Sequence, residues 1–293
     1  MPELPEVETT VNGLNKTVKN RRIIAVKTSY NSVHHVGKDN IKDPAFFKIF
    51  KKKVLGAKIL RAERRAKNVL IFLSNGYTII VHMKMTGHFV YDRPDYPFVR
   101  LTFNLDNAKT LALSDMRKFA KVTLVKTSEL EKCLHLEHLG SEPLEKVFKF
   151  EVFRSQVLKR PKGRIKSVLM DQSLIAGIGN IYSDEIFWRA GVHPLSKPGK
   201  IPEKNIKLMF TALKQTLQRG IDFGGDSMSD YRNIKGEKGK FQEHHEAYRR
   251  TGKSCMKKGC RGVIKRIIVG GRSAHFCPAH QKLYGNIDST SSP

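Results

Sequence analysis

Residues 69–73 and 77–83, rich in valine, isoleucine and aromatics, flank Asn75-Gly76. Asn-Gly between two such runs is the strongest short hairpin signal, so this stretch is strongly committed to a β-hairpin. The same strand-length pattern continues on both sides. Residues 22–29 read as a strand, 99–105 and 110–113 flank a second turn at Asp106-Asn107, and 119–125 follows. Short antiparallel strands in series predict a β-sandwich or barrel, with the first domain ending near residue 145.

Helical periods bracket these strands. Val7, Val11, Leu14 and Val18 form one stripe, with Pro5 suited to a first turn and Glu3 and Glu6 near its positive end. From about residue 150 the period is helical again. Val152, Phe153, Val157 and Leu158 lead to Ile165, Val168 and Leu169. Ile186, Phe187 and Ala190 form a further stripe closed by Gly191 and Pro194. A last helix carries Ile206, Met209, Phe210, Leu213 and Leu217 and ends at Gly220. Residues 221–250 are Gly-rich and charged, and loops of that length are usually functional or disordered. The fold class expected is therefore α+β in two domains, an antiparallel β-domain followed by a helical one.

The chain carries 54 Lys+Arg against 27 Asp+Glu in 293 residues, a formal charge of +27. Such an excess costs folding energy through self-repulsion unless a polyanion screens it, and nucleic acid is the expected partner. No apolar run approaches the ~18 residues of a membrane helix. The N-terminus has neither a basic n-region nor an apolar h-region, so a signal peptide is not expected. The cytosol is the expected compartment.

Three of four cysteines lie near the C-terminus as Cys255-x4-Cys260 and Cys277, with His280 making a second close pair. Two short-spaced pairs separated by sixteen residues fit a tetrahedral Zn²⁺ on a ribbon-like hairpin. Strands over 264–269 and 273–276 would lie between them, with Arg272 at the tip. His244, His245 and His275 are rival fourth ligands, but only His280 completes a pair. Elsewhere, Gly177-Ile178-Gly179-Asn180 lies between two helical stripes, where backbone N–H groups suit a phosphate. Lys67 would begin a strand. Met85, Arg117 and Phe119 together offer one cation and two apolar wedges.

These features occur in order along a chain that resembles the formamidopyrimidine-DNA glycosylases, of the same superfamily as endonuclease VIII. The resemblance rests on Pro2-Glu3-Leu4-Pro5-Glu6-Val7-Glu8, Arg65-Ala66-Lys67 and His82-x-x-Met85-Thr86-Gly87. It continues through Asp115-x-Arg117-Lys118-Phe119, the run 169–182, and Gly271-Arg272 through Cys277-Pro278. It implies a catalytic β-sandwich over 1–145, a helix-two-turn-helix domain over 150–222 and a base-covering loop over 223–250. A zinc finger over 251–284 and a disordered tail over 285–293 complete the expected organisation.

The resemblance also implies the chemistry: base excision repair by a bifunctional glycosylase and AP lyase acting on oxidised purines in duplex DNA. Once Met1 is removed, Pro2 presents a secondary amine. With an α-amino pKa of ~7.8, roughly a third of it is neutral at pH ~7.5, against about 0.1% for a lysine. Glu3 is expected to protonate the sugar O4′, and Glu6 to orient the helix start. Lys67, Asn180 and Arg272 would hold phosphates. Met85, Arg117 and Phe119 would fill the void left by an extruded nucleotide, and residues 227–231 would cover the flipped base. One structural zinc on Cys255, Cys260, Cys277 and His280, a monomeric state and a nucleoid association complete the expectation. An endonuclease VIII-like preference for oxidised pyrimidines and a non-catalytic zinc-containing DNA-binding protein are the alternatives. Departures from the family pattern are the Cys-x4-Cys spacing, His280 in place of a cysteine, Phe98 in place of a common histidine, and Met116 in place of a proline.

Overall fold

The computed structural model describes residues 1–30, 33–228 and 230–286, so the expected tail lies outside the described residues from 287 onward. The chain divides into two compact units, one of residues 1–137 with 220–242 and the other of 138–219 with 243–293.

Among the described residues the first unit holds eight strands: β1 (Ile23–Thr28), β2 (Ile59–Arg65), β3 (Asn68–Leu73), β4 (Tyr77–His82), β5 (His88–Tyr91), β6 (Val99–Leu105), β7 (Thr110–Ser114) and β8 (Lys121–Lys126). They make two four-stranded antiparallel sheets, ordered β1-β6-β7-β5 and β2-β3-β4-β8. The Asn75-Gly76 hairpin pairs β3 with β4, Leu70 opposite Ile80. All of β3 is buried, and Ile71, Val81, Phe89 and Phe103 share one apolar core from both sheets. This is the expected sandwich.

Helix α1 (Leu4–Thr17) buries Val7, Val11 and Leu14 in that core. Its seat is polar as well as apolar. Asn15 Oδ1 accepts the Ala62 N–H at 2.8 Å and Asn15 Nδ2 donates to the Ala62 carbonyl at 2.9 Å. Arg64 and Glu8 pair at 2.7 Å. Helix and strand β2 are thereby fixed together, which fixes the start of the helix.

Helix α2 (Pro44–Val54) falls where the sequence reading placed no element. Its signal was present: Asp43 Oδ1 accepts the Ala45 N–H, and Pro44 opens the first turn. Phe50 and Val54 are buried and Phe46 and Phe47 pack beside them.

The second unit contains α3 (Phe150–Leu158), α4 (Ile165–Leu169), α5 (Asn180–Ala190), most of α6 (Glu203–Asp222) and the hairpin β9 (Lys265–Val269)–β10 (Arg272–Phe276). Helix α6 runs two residues beyond the expected stop at Gly220. The hairpin tip is Gly270-Gly271, both at positive φ, as a two-residue turn between right-twisted strands requires. A Cβ on Gly270 would come within 2.8 Å of Ser167 Oγ on α4. No described helix is long and apolar enough to cross a membrane.

Candidate active site and metal centre

In the first unit the chemistry gathers at the start of α1. Glu3 is the N-cap, and its backbone N–H donates to Glu6 Oε2 at 2.7 Å in a capping box. Glu6 Oε1 accepts the Asp226 N–H at 2.7 Å, and the Tyr231 hydroxyl donates to the Glu6 carbonyl at 3.0 Å. Pro2, Glu3 and Glu6 are all buried, whereas Met1 is 40% exposed. The residue after Pro2 is therefore held rigidly while Met1 stays accessible. Burial beside the Glu6 carboxylate raises the Tyr231 hydroxyl pKa, keeping it a donor.

The segment after α6 is tied to the same helix. Gly13 lets Ile234 pack onto α1, where a Cβ would meet the Ile234 side chain at 2.7 Å. Gly225 packs against Glu6 and Tyr231 at a φ of +88°. Ser227 Oγ donates to the Tyr231 carbonyl and accepts the Gly239 N–H, and Phe241 N–H donates to the Gly225 carbonyl. The loop thus has a closed neck. Of the expected base-covering residues 227–231, Ser229 lies outside the described residues.

Lys67 sits in the two-residue turn between β2 and β3, preceded by Ala66 at a φ of +54°, and does not begin a strand. It is only 6% exposed, unlike an ordinary solvated lysine.

Asp115 organises the Arg117 loop. Its carboxylate accepts from the Thr86 hydroxyl at 2.5 Å, the Tyr30 hydroxyl at 2.8 Å and the Ala120 N–H at 2.8 Å. The Arg117 N–H donates to Thr86 Oγ1, and Lys118 takes a φ of +56°. Pinning Ala120 delays β8 to Lys121, so Phe119 lies outside the strand expected over 119–125. Phe119 is exposed, with the Arg117 guanidinium 4.5 Å from its ring centroid. Met85 is also exposed, so all three side chains of the trio stand accessible on loops of one unit. Phe98, at a φ of +58° and half exposed, accepts the Asp115 N–H through its carbonyl.

In the second unit, Gln172 shapes the glycine-rich turn: Oε1 accepts the Gly177 N–H, and Nε2 donates to the Met170 and Ile178 carbonyls. Asn180 opens α5 and lies by Ser273 of β10, Nδ2 to Oγ at 3.4 Å, with its Oδ1 buried and unpartnered. Arg272 begins β10 opposite Val269 and is exposed. Asn180 and the Arg272 strand are brought together by a buried ionic core beneath them. Asp184 accepts from Lys166 Nζ, and its other oxygen meets the His275 N–H and Nδ1 at 2.9 and 2.8 Å. The next residue, Glu185, accepts the N–H groups of Glu246, Ala247 and Tyr248. Burial raises its pKa despite those three bonds. Asp184 and Glu185 carry no local signal that distinguishes them from surface acids, and Asp115 and Gln172 lie in the family-like runs 115–119 and 169–182 without a role that the sequence assigns.

Cys255, Cys260, Cys277 and His280 place four donor atoms within 4.8 Å of one another. His275, a rival ligand by sequence, is committed to Asp184. The His280 Nε2–H donates to the Trp188 carbonyl at 3.0 Å, which leaves Nδ1 facing the Cys255 and Cys260 sulfurs. Trp188 Nε1 donates to Cys255 Sγ, and the Gly262 N–H reaches Cys260 Sγ. That N–H lowers the Cys260 pKa, while burial pushes the Cys277 thiol up to about 11. Gly262 is obligatory for space, since a Cβ would come within 2.5 Å of Cys277 Sγ. Three sulfurs and one oriented imidazole fit a metal ion.

Residues 1–122 match the formamidopyrimidine-DNA glycosylase N-terminal domain, and 139–232 match the formamidopyrimidine-DNA glycosylase H2TH domain. The formamidopyrimidine-DNA glycosylase of Pelotomaculum thermopropionicum is 38% identical, covering 97% of this chain and 100% of the relative. That of Bacillus subtilis is 36% identical over 94% and 98%. Among solved structures, the complex of Lactococcus lactis Fpg with abasic-site DNA superposes with a TM-score of 0.84 at 31% identity, covering 96% of this chain and 99% of that one. The wild-type Lactococcus lactis enzyme with N7-benzyl-Fapy-dG DNA gives 0.84 at 32%, covering 96% and 100%. Fold, four-donor centre and matched segments define a DNA glycosylase. The chain belongs to the formamidopyrimidine-DNA glycosylase family.

Proposed function

We propose that this glycosylase excises oxidised purines, 8-oxoguanine and formamidopyrimidines, from duplex DNA and then nicks the strand, with Pro2 as nucleophile. The observation that carries the assignment is the capping box that fixes Glu3 through Glu6 beside residue 2. Removal of the exposed Met1 frees a secondary amine at the positive end of α1, where protonation is disfavoured. The neutral amine forms a bond to C1′ as the base leaves with the glycosidic electron pair. The amine's own N–H proton passes to the departing base, and Glu3 gives a proton to O4′ as the sugar opens, leaving a cationic iminium. That cation acidifies the C2′ proton. Its loss expels the 3′ phosphate, and a second elimination expels the 5′ phosphate.

Lys67, Asn180 and Arg272 bind the flanking phosphates in this reading. Met85, Arg117 and Phe119 enter the stack, offsetting an extrusion cost of a few kcal/mol. Residues 1–145 form the catalytic domain, 150–222 the helix-two-turn-helix domain, and 223–250 cover the base. Cys255, Cys260, Cys277 and His280 hold one structural Zn²⁺, which braces the hairpin bearing Arg272. The protein acts as a monomer.

Borohydride trapping on an 8-oxoguanine:cytosine duplex tests the nucleophile. A covalent adduct is expected, and it is lost when a retained N-terminal residue blocks Pro2. An adduct that survives blocking, or faster excision of thymine glycol than of 8-oxoguanine, overturns the respective half of the assignment.

A further inference from the structure

A strongly basic face lies away from this chemistry. Residues 16–28 hold five Lys/Arg and no Asp/Glu, and residues 44–58 hold five more, again with no acid. The fold joins the two segments. Arg22 and Lys58 form an antiparallel bridge, Arg22 Nη1 donates to the Gly56 carbonyl, and the Ile59 N–H donates to the Arg21 carbonyl. The last turn of α2 leads straight into this junction, its Lys51 carbonyl accepting from Leu55. Lys48, Lys51 and Lys52, at i, i+3 and i+4, form an exposed stripe opposite the buried Phe50 and Val54.

A compensating structural role does not account for the stripe. One lysine in a last helical turn satisfies the dipole. Lys53 has a local partner in the Tyr77 ring at 5.1 Å. Lys48, Lys51 and Lys52 have no carboxylate partner among the described residues. Of the nearby acids, Glu63 is paired with Arg61, and Asp43 caps the far end of α2. Asp106 stands at the edge, where its N–H meets the Arg22 carbonyl. Nor is the face part of the active centre. The basic junction follows the C-terminal end of α1, about 20 Å along its axis from Glu3.

We propose that this face binds the sugar-phosphate backbone of a second DNA duplex, without base specificity, while the active centre holds the first. The inference rests on the reading of the protein as a DNA glycosylase. Unpaired cations on one face favour a polyphosphate. A membrane surface would instead require a broad apolar side of α2 to be available, but Phe50 and Val54 are in the core with Phe46 and Phe47 packed against it, and only Ile49 and the C-cap Leu55 are exposed. A second backbone site lets an enzyme move between DNA segments without first dissociating.

The test uses the full chain, trapped by borohydride on an unlabelled lesion duplex so that the active centre is occupied. Failure of trapping is visible on a denaturing gel and bears on the nucleophile. In that case the free enzyme is titrated instead, with two duplexes per chain expected. The trapped complex is titrated with a fluorescent undamaged duplex and followed by anisotropy. Binding is expected, weakened about tenfold in the Lys48→Gln/Lys51→Gln/Lys52→Gln variant, with a salt slope smaller by about 2–3. Single-turnover excision and melting temperature should be unchanged. Absence of second-duplex binding, or equal binding by the variant, overturns the proposal. So does capture of the trapped complex by phosphatidylglycerol vesicles but not by duplex.

Discussion

Glu6 Oε1 accepts the backbone N–H of Asp226 at 2.7 Å, across 220 residues of chain. Its other oxygen holds Glu3, so one buried carboxylate joins the start of α1 to the neck of the loop after α6. Replacing Glu6 by Ala leaves two buried N–H groups without acceptors, each costing about 1–3 kcal/mol. A lowered melting temperature is expected, with faster hydrogen exchange at both the Glu3 and Asp226 amides. Exchange accelerated at only one of them would show that the carboxylate does not couple the two.

Lys166 and Asp184 are both fully buried. Asp184→Ala strands an ammonium in the interior and should destabilise the protein by about 3–5 kcal/mol. Lys166→Met in the same background should recover part of that loss, because the uncompensated charge is then gone. Denaturant unfolding of the two single variants and the double variant measures the coupling. Additive losses would mean that the pair is not an energetic unit.

The metal site makes a ligand-specific prediction. Cys277→Ala and His280→Ala should purify with much less than about one zinc per chain, whereas His280→Cys should retain it. The cysteine restores a fourth donor and moves the net charge of the zinc-loaded site from −1 to −2. Atomic absorption on the purified variants decides, and full zinc occupancy in Cys277→Ala would falsify the ligand set.

Burial, reinforced by Lys84, Lys67 and Lys121, depresses the His82 pKa to about 3. Burial likewise brings His193 to about 4. Both are neutral in the folded state, while the unfolded chain takes up their protons below about 6.5. Their contribution to stability is therefore complete above that value and lost as pH falls towards the folded pKa. Each should remove about 1 kcal/mol between pH ~6.5 and ~5.5. His82→Gln should flatten this slope in pH-dependent chemical unfolding, and an unchanged slope would show that His82 is not the titrating group.

Several elements are legible in the sequence because their causes are local. Asn75-Gly76 names its own turn, the stripe Val7-Val11-Leu14 names one face of a helix, and the spacing of Cys255, Cys260, Cys277 and His280 names a cluster of four donors. Each depends on the steric preferences or geometry of residues close in the chain, and each stands where it was expected. Even the overlooked α2 carried a local signature in Asp43-Pro44. Tertiary structure alone decided what surrounds those elements. It buried Lys67 in a turn, made Asp115 the hub of the exposed Arg117–Phe119 loop, and committed His275 to Asp184 so that His280 remained for the sulfurs. It also joined Glu6 to Asp226. The longest-range of these contacts, Thr86 to Asp115, Asp184 to His275 and Glu6 to Asp226, link groups 29, 91 and 220 residues apart. Their formation depends on sheet order and helix seating, which arise from the packing of the whole unit and leave no periodic trace in the chain.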